Sequence, residues 1–217
     1  MLDARDPCST IMMLMNAGVA LVQSYLNLNG YFTVTEFPVI HGQRGGGYEE
    51  LTDLDILAVR FPEARHIVSR GAPGPHDDLS LGLDPALSPI SDAVDVIIGE
   101  VKEGKARLND ATRRSDVLRT ALSRVGCVPA SRMDGVIEEL QTRGEARVSG
   151  KGTVPCRVRV IAFGDGSGGK RDGYRIIPLE EVAAFVNDFL ERYHEVLHPV
   201  DLSDQVLGLL HLLRKLS

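Results

Sequence analysis

"AVDVIIGEVKEGKARLN", residues 93–109, sets an ionic pair at the end of a run that reads as a buried strand. From Ala93 to Gly99 the residues are apolar apart from Asp95, the pattern of a central strand covered on both faces. Side chains alternate along a strand, so Glu100 and Lys102 point to one face and Val101 to the other. Burying charges is costly unless they are paired or hold a metal. One reading makes Glu100 and Lys102 a functional pair; the plainer one has the strand emerging into solvent at Glu100.

Upstream, "GQRGGGYEELTDLDILAVRF", residues 42–61, is a glycine-rich turn leading into another apolar strand that carries Asp53 and Asp55. A carboxylate at Asp55 can converge with Glu100 on one hard cation such as Mg²⁺, which takes oxygen ligands and keeps several waters. Mn²⁺ is the expected substitute. Lys102 beside that ion would orient or help deprotonate an attacking water, or offset charge on a scissile phosphate.

Around these strands the pattern gives a helix over 9–28, capped by Ser9 or Thr10 and stopped by Gly30. A β-branched and aromatic strand, "YFTVTEFPVI", follows at 31–40, and "RHIVS" at 65–69 reads as a short further strand. Residues 71–92, rich in Pro, Gly, Asp and Ser, read as a flexible insertion. Helices are expected near 110–124 and 130–144, the second closed by Gly144. "CRVRVIAFG" (156–164) is a strand joined through a hairpin-like glycine-rich connection to "YRIIPL" (174–179). Residues 179–217 are C-terminal helices packing on the core: Val182, Phe185, Val186, Phe189, Leu190 and Tyr193 recur at helical spacing, and Asp201 or Ser203 caps the last helix. The sum is one α/β domain over 1–217, with a mixed central sheet flanked by helices.

The helix, the strand at 31–40, the strand carrying Asp55, the strand carrying Glu100 and Lys102, and the helix after it resemble the αβββαβ core of the PD-(D/E)XK nuclease superfamily, the restriction-endonuclease-like fold. The resemblance covers residues 10 to 125, and the strand and helix at 156–190 can supply the later elements. It implies a metal-dependent nuclease that hydrolyses phosphodiester bonds, in DNA rather than RNA. Asp55 and Glu100 would be metal ligands with the Val101 carbonyl as a third, and Lys102 the catalytic lysine. Many members carry an acidic residue on the first helix, where this chain offers Gln23. The long separation of Asp55 from Glu100 comes from the 71–92 insertion.

A rival reading sets Asp53 and Asp55 as the paired carboxylates of a nucleotidyltransferase, which resembles a strand ending in Gly-Ser followed by Asp-h-Asp on the next strand. Gln43 stands where that serine would grip nucleotide phosphates, and Glu100 and Lys102 are left unexplained, although Asp95 could be invoked as a third carboxylate. A catalytically silent domain that keeps the fold for binding or assembly is the third reading.

A net charge of -6 excludes a generally basic surface, but residues 102–124 hold seven basic against three acidic residues, a local +4. Lys105, Arg107 and Asn109 in that stretch are candidate contacts to backbone phosphates, or simply an exposed loop and helix cap. Glu36 on the first strand is a candidate for a second cation or a solvated strand residue. Residues 118–148 have the rhythm of a winged helix-turn-helix, but Asp134, Glu138 and Glu139 suit a major-groove helix poorly, so packing is expected. His194, His198 and His211 lack companions at ligand spacing, and the glycine turns lack the Lys-Ser/Thr ending of a phosphate loop. Cys8, Cys127 and Cys156 support neither a disulfide framework nor a zinc site, which points to a reducing, cytoplasmic setting. The apolar N-terminal stretch is interrupted by polar residues and reads as a core helix, so no membrane partner is expected; a homodimer is compatible with the sequence.

Overall fold

The structure, a computed structural model, describes residues 16–43, 45–64, 83–150, 154–197 and 204–216. Seven strands form one open mixed sheet: β1 (Phe32–Gly42), β2 (Tyr48–Arg60), β3 (Val94–Lys105), β4 (Glu145–Val148), β5 (Cys156–Asp165), β6 (Gly169–Arg171) and β7 (Tyr174–Pro178). The order across it is β1-β2-β3-β5-β7-β6, with β4 beside the first half of β5. β1, β2 and β3 run as an antiparallel meander, and β3–β5 and β5–β7 are parallel. The glycine-rich segment at 42–47 is the hairpin turn between β1 and β2, as its composition implies.

Helices cover both faces. α1 (Ala17–Leu28), α4 (Leu179–Arg192) and α6 (Gln205–Leu216) lie on one side, where Val22, Tyr25, Val186 and Leu190 pack against Ile56, Ile97, Ile161 and Phe163. α2 (Ser115–Val125) and α3 (Met133–Arg143) lie on the other, where Leu118, Leu122 and Ile137 meet Leu57, Val96, Ile98 and Val158. A four-residue helix, α5 (His194–Leu197), follows α4. β3 is thus buried on both faces from Val94 to Val101, as its apolar run requires. Met133, Val136, Ile137 and Leu140 turn into this core, so the second helix of the winged-helix-like stretch serves packing. No helix among the described residues is long and apolar enough to cross a membrane.

Several boundaries differ from the expected ones, each for a local reason. The first described helix starts at Ala17 because the Asn16 side chain accepts hydrogen bonds from the Gly18 and Val19 amides, the N-cap role for which Asn is well suited. Ser9 and Thr10 lie outside the described residues, as do the strand expected at 65–69, His198, Asp201 and Ser203. α6 is capped by Asp204, whose Oδ1 accepts from the Val206 and Leu207 amides and from Ser24 on α1. The helix expected over 110–124 is split: a 3-10 turn at Ala111–Arg113, an extended Arg114, then α2. Residues 71–82 of the expected insertion fall outside the described residues, whereas 83–92 follow a defined course with a 3-10 turn that buries Leu87.

The cysteine reading is corrected. Cys127, just after α2, and Cys156, at the start of β5, are bonded as a disulfide with Cα atoms 6.3 Å apart. They are 29 residues apart in sequence, and only the path through α3 and β4 brings them together. Their spacing therefore gives no support to a reducing compartment.

The half of the sheet beyond β3 is fastened by a buried ionic cluster. Asp95, fully buried, accepts from Arg157 Nη2 at 2.7 Å, Arg159 Nη2 at 2.6 Å and the Tyr31 hydroxyl at 2.6 Å. The guanidinium groups reach on to the Ser88 and Leu87 carbonyls, which holds the 83–92 segment against the sheet. Burial and the Asp95 carboxylate keep the Tyr31 hydroxyl protonated well above its ordinary range. At the β4–β7 junction, Gly144 has φ 67° and a Cβ there would lie 2.0 Å from the Gly173 carbonyl oxygen. Gly144→Ala is expected to lower unfolding free energy by about 2–4 kcal/mol. Asp95→Ala, which strands two buried guanidinium groups, should cost about 3–5 kcal/mol. Denaturant titration followed by circular dichroism measures both.

Candidate active site

The β2–β3 ladder ends where the candidate residues lie. Its register pairs Leu57 with Ile98 and Ile56 with Gly99, and one further step sets Asp55 across from Glu100. Gly99 allows the close pairing before that point, since a Cβ there would sit 3.0 Å from the Ile56 Cβ and 3.3 Å from the Phe163 ring. Beyond it, Asp55 Oδ2 rather than a strand carbonyl accepts from the Val101 amide, at 2.7 Å. Glu100 and Lys102 share the strand parity of Ile98, the α2 side of the sheet. On the α1 side the first turn of the helix packs against Val101 at Gly18, where a Cβ would lie 3.2 Å from the Val101 Cγ1.

Glu100 is buried and held on both oxygens. Lys102 Nζ lies 2.6 Å from Oε1, and the buried Thr112 hydroxyl donates to Oε2 at 2.5 Å. The pair is therefore a built feature, and the strand does not simply surface at Glu100. Thr112 was not legible in the sequence: it carries no motif and reaches Glu100 only through the 3-10 turn. The Asn109 side chain caps that turn by accepting from the Ala111 amide at 3.2 Å, which gives Asn109 a structural task.

The electrostatics of the two carboxylates differ. Burial of the half-buried Asp55 pushes its pKa above the ordinary carboxylate value, against the opposing Val101 amide, and the negative charge of Glu100 adds to the rise. Burial acts to lower the Lys102 pKa, but the hydrogen bond to Glu100 and the charges of Glu100 and Asp55 outweigh it and hold the ammonium above its ordinary 10.5. Lys102 consequently stays charged at neutral pH.

The remaining candidates are scattered. Glu36 lies across from Asp55, between the Thr35–Ile56 and Phe37–Leu54 pairs, and has φ 50°, a left-handed backbone rare for a side-chain-bearing residue inside a strand; its side chain is exposed. Asp53 is exposed, paired in register with Pro38. Lys105 and Arg107 are exposed at the end of β3 with no ion-pair partner among the described residues, and Arg107 is close enough for its charge to act on Lys102. Arg114 and Arg119 are paired with Asp116 and Asp134, so less of the local +4 is available to a ligand than the sequence implies. Gln23 is not at this site: its amide donates to Thr33 at 3.3 Å on the opposite face, beside a cavity of about 350 Å³ shared with Ser24 and Asp204.

The donor set suits a hard cation. Asp55 and Glu100 are adjacent carboxylates, the first of them protonated more readily than usual because it is half-buried, with the Val101 carbonyl nearby in sequence. No group of three or more His, Cys, Asp or Glu able to hold a metal is found among the described residues. An ion here would rest on two carboxylates, a carbonyl and water, a set that Mg²⁺ accepts and zinc does not favour.

A carboxyl with a raised folded-state pKa is destabilising once ionised, and the penalty develops as pH rises from the unfolded value of 3.8 through the folded one. Asp55→Asn, which keeps an acceptor for the Val101 amide, should therefore raise the melting temperature at pH 7. The gain should vanish below pH 3.8, a comparison made by thermal unfolding of both proteins across that range.

Comparison of the chain with protein-family models, with curated proteins and with solved structures finds no match. The functional reading accordingly rests on the geometry of Asp55, Glu100, Lys102 and Thr112.

Proposed function

We propose that this protein is a Mg²⁺-dependent nuclease of the PD-(D/E)XK type that hydrolyses phosphodiester bonds in DNA. The observation that carries the reading is the placement of Asp55 opposite Glu100 at the parting of β2 and β3, with the Lys102 ammonium on Glu100. The order α1-β1-β2-β3-α2, with β5 parallel to β3, supports the restriction-endonuclease-like assignment of the core.

Asp55 and Glu100 would hold the ion, joined by the Val101 carbonyl. Bound there, Mg²⁺ supplies Lewis-acid polarisation of the phosphate and a more acidic water. The chain's own residues do the rest. Thr112 and Lys102 fix the Glu100 carboxylate in one orientation, so little reorganisation is needed when substrate arrives. Lys102 keeps its proton, so its work is to orient the attacking water and to offset negative charge growing on the phosphoryl oxygens. Lys105 and Arg107, exposed beyond the strand end, are placed to meet neighbouring backbone phosphates.

Purified protein incubated with plasmid, linear and single-stranded DNA plus Mg²⁺ or Mn²⁺ should cleave at least one of them. Lys102→Met should lower the rate by roughly 10²–10³-fold, with Lys102→Arg retaining more because it keeps the charge. Asp55→Ala should abolish Mn²⁺ binding in isothermal titration, whereas Asp53→Ala should change cleavage little. Identical cleavage by wild type and Lys102→Met would overturn the reading, and loss of activity in Asp53→Ala would favour a nucleotidyltransferase.

A further inference from the structure

A second concentration of charge lies at the far end of the sheet. A cavity of about 270 Å³ opens between the α3–β4 junction and strands β5, β6 and β7, lined by Arg143, Arg157, Arg159, Lys170 and Arg175 with Glu145 as its one acid. It is separate from the candidate active site. Asp95, behind the cavity, precedes Glu100 by five residues on β3, about 17 Å along a strand. Arg157 and Arg159 also share the parity of Ile161 on the α1 face, whereas Glu100 shares that of Ile98 on the α2 face.

The cations are under-compensated. Arg157 and Arg159 are both 4% exposed and share the single carboxylate of Asp95, so the buried cluster keeps a surplus positive charge. Lys170 pairs in register with Arg175 across β6 and β7, and like charges set opposite one another repel. Arg175 Nη1 donates to the Ser88 hydroxyl at 2.8 Å, but its Nε is buried without a hydrogen-bond partner. Arg143 and Lys170 have neither a hydrogen-bond nor an ion-pair partner among the described residues, and Glu145 has its ion-pair partner, Arg147, outside the cavity at 3.7 Å. Counting Asp95 and Glu145 against the five cations leaves a surplus of three.

We propose that this cavity binds a small ligand through a phosphate monoester group. The Arg157 and Arg159 forks are held by Asp95 and the Leu87 and Ser88 carbonyls, so Arg143, Arg175 and Lys170 are the groups that would meet phosphoryl oxygens, and a dianion offsets the surplus better than one carboxylate does. The volume admits a phosphate with a modest organic moiety and excludes a duplex or a folded partner. The site is independent of the nuclease reading and needs no divalent ion.

Thermal unfolding of the full chain, without divalent cations, tests it with inorganic phosphate as probe, against succinate and chloride at matched ionic strength. Phosphate should raise the melting temperature progressively with its concentration, as a ligand of the native state does. Lys170→Ala and Arg175→Gln should each reduce that rise toward the chloride level. Should Arg175→Gln fail to fold, Lys170→Ala, on an exposed strand, carries the comparison alone. An equal rise in chloride, a rise confined to succinate, or a phosphate effect untouched in Lys170→Ala would each overturn the proposal.

Discussion

Burial of β3 on both faces is the constraint from which most of the molecule follows. A strand in that position can carry a carboxylate only if the fold brings compensation to it from elsewhere in the chain. Two such carboxylates are present, and each is met differently: Asp95 by guanidinium groups projecting from the parallel strand β5, Glu100 by its own strand neighbour Lys102 and by a hydroxyl carried on a 3-10 turn. The first arrangement ties β3, β5, Tyr31 just before β1 and the 83–92 segment together. The second leaves a buried carboxylate fixed in one orientation where β2 and β3 part.

Asp55 completes the contrast. It has a backbone amide and no cationic partner of its own, and burial keeps it protonated more readily than an ordinary aspartate. A residue of this kind weakens the free protein, and a cation would relieve it. In this it differs from the members of a structural ion pair, which satisfy each other without help.

Much of the framework is written in local patterns. The apolar run of β3, the glycines between β1 and β2 and the helical period of α4 give element type and order because periodicity and turn chemistry are local properties. Asp55, Glu100 and Lys102 were recognisable for the same reason: charges on apolar strands stand out. Thr112 and the Arg157–Asp95–Arg159 cluster were not, since their roles depend on partners up to 64 residues away and a threonine or a strand arginine has no signature of its own. The Cys127–Cys156 pairing was hidden likewise. The cap roles of Asn16 and Asp204 were hidden as well, since which side chain reaches the free amides is decided by the backbone path.

Glu36, strained in the left-handed region, has a bearing on how copies of this protein behave at high concentration. β1 is the sheet's outer edge and presents Phe32, Val34 and Ile40 to solvent, a surface that would invite another chain to add a strand. The turned backbone at Glu36 interrupts the regular row of donors and acceptors along that edge, and Pro38 two residues on removes a donor outright. The residue facing Asp55 across the hairpin thus also makes the β1 edge a poorer template for a further strand.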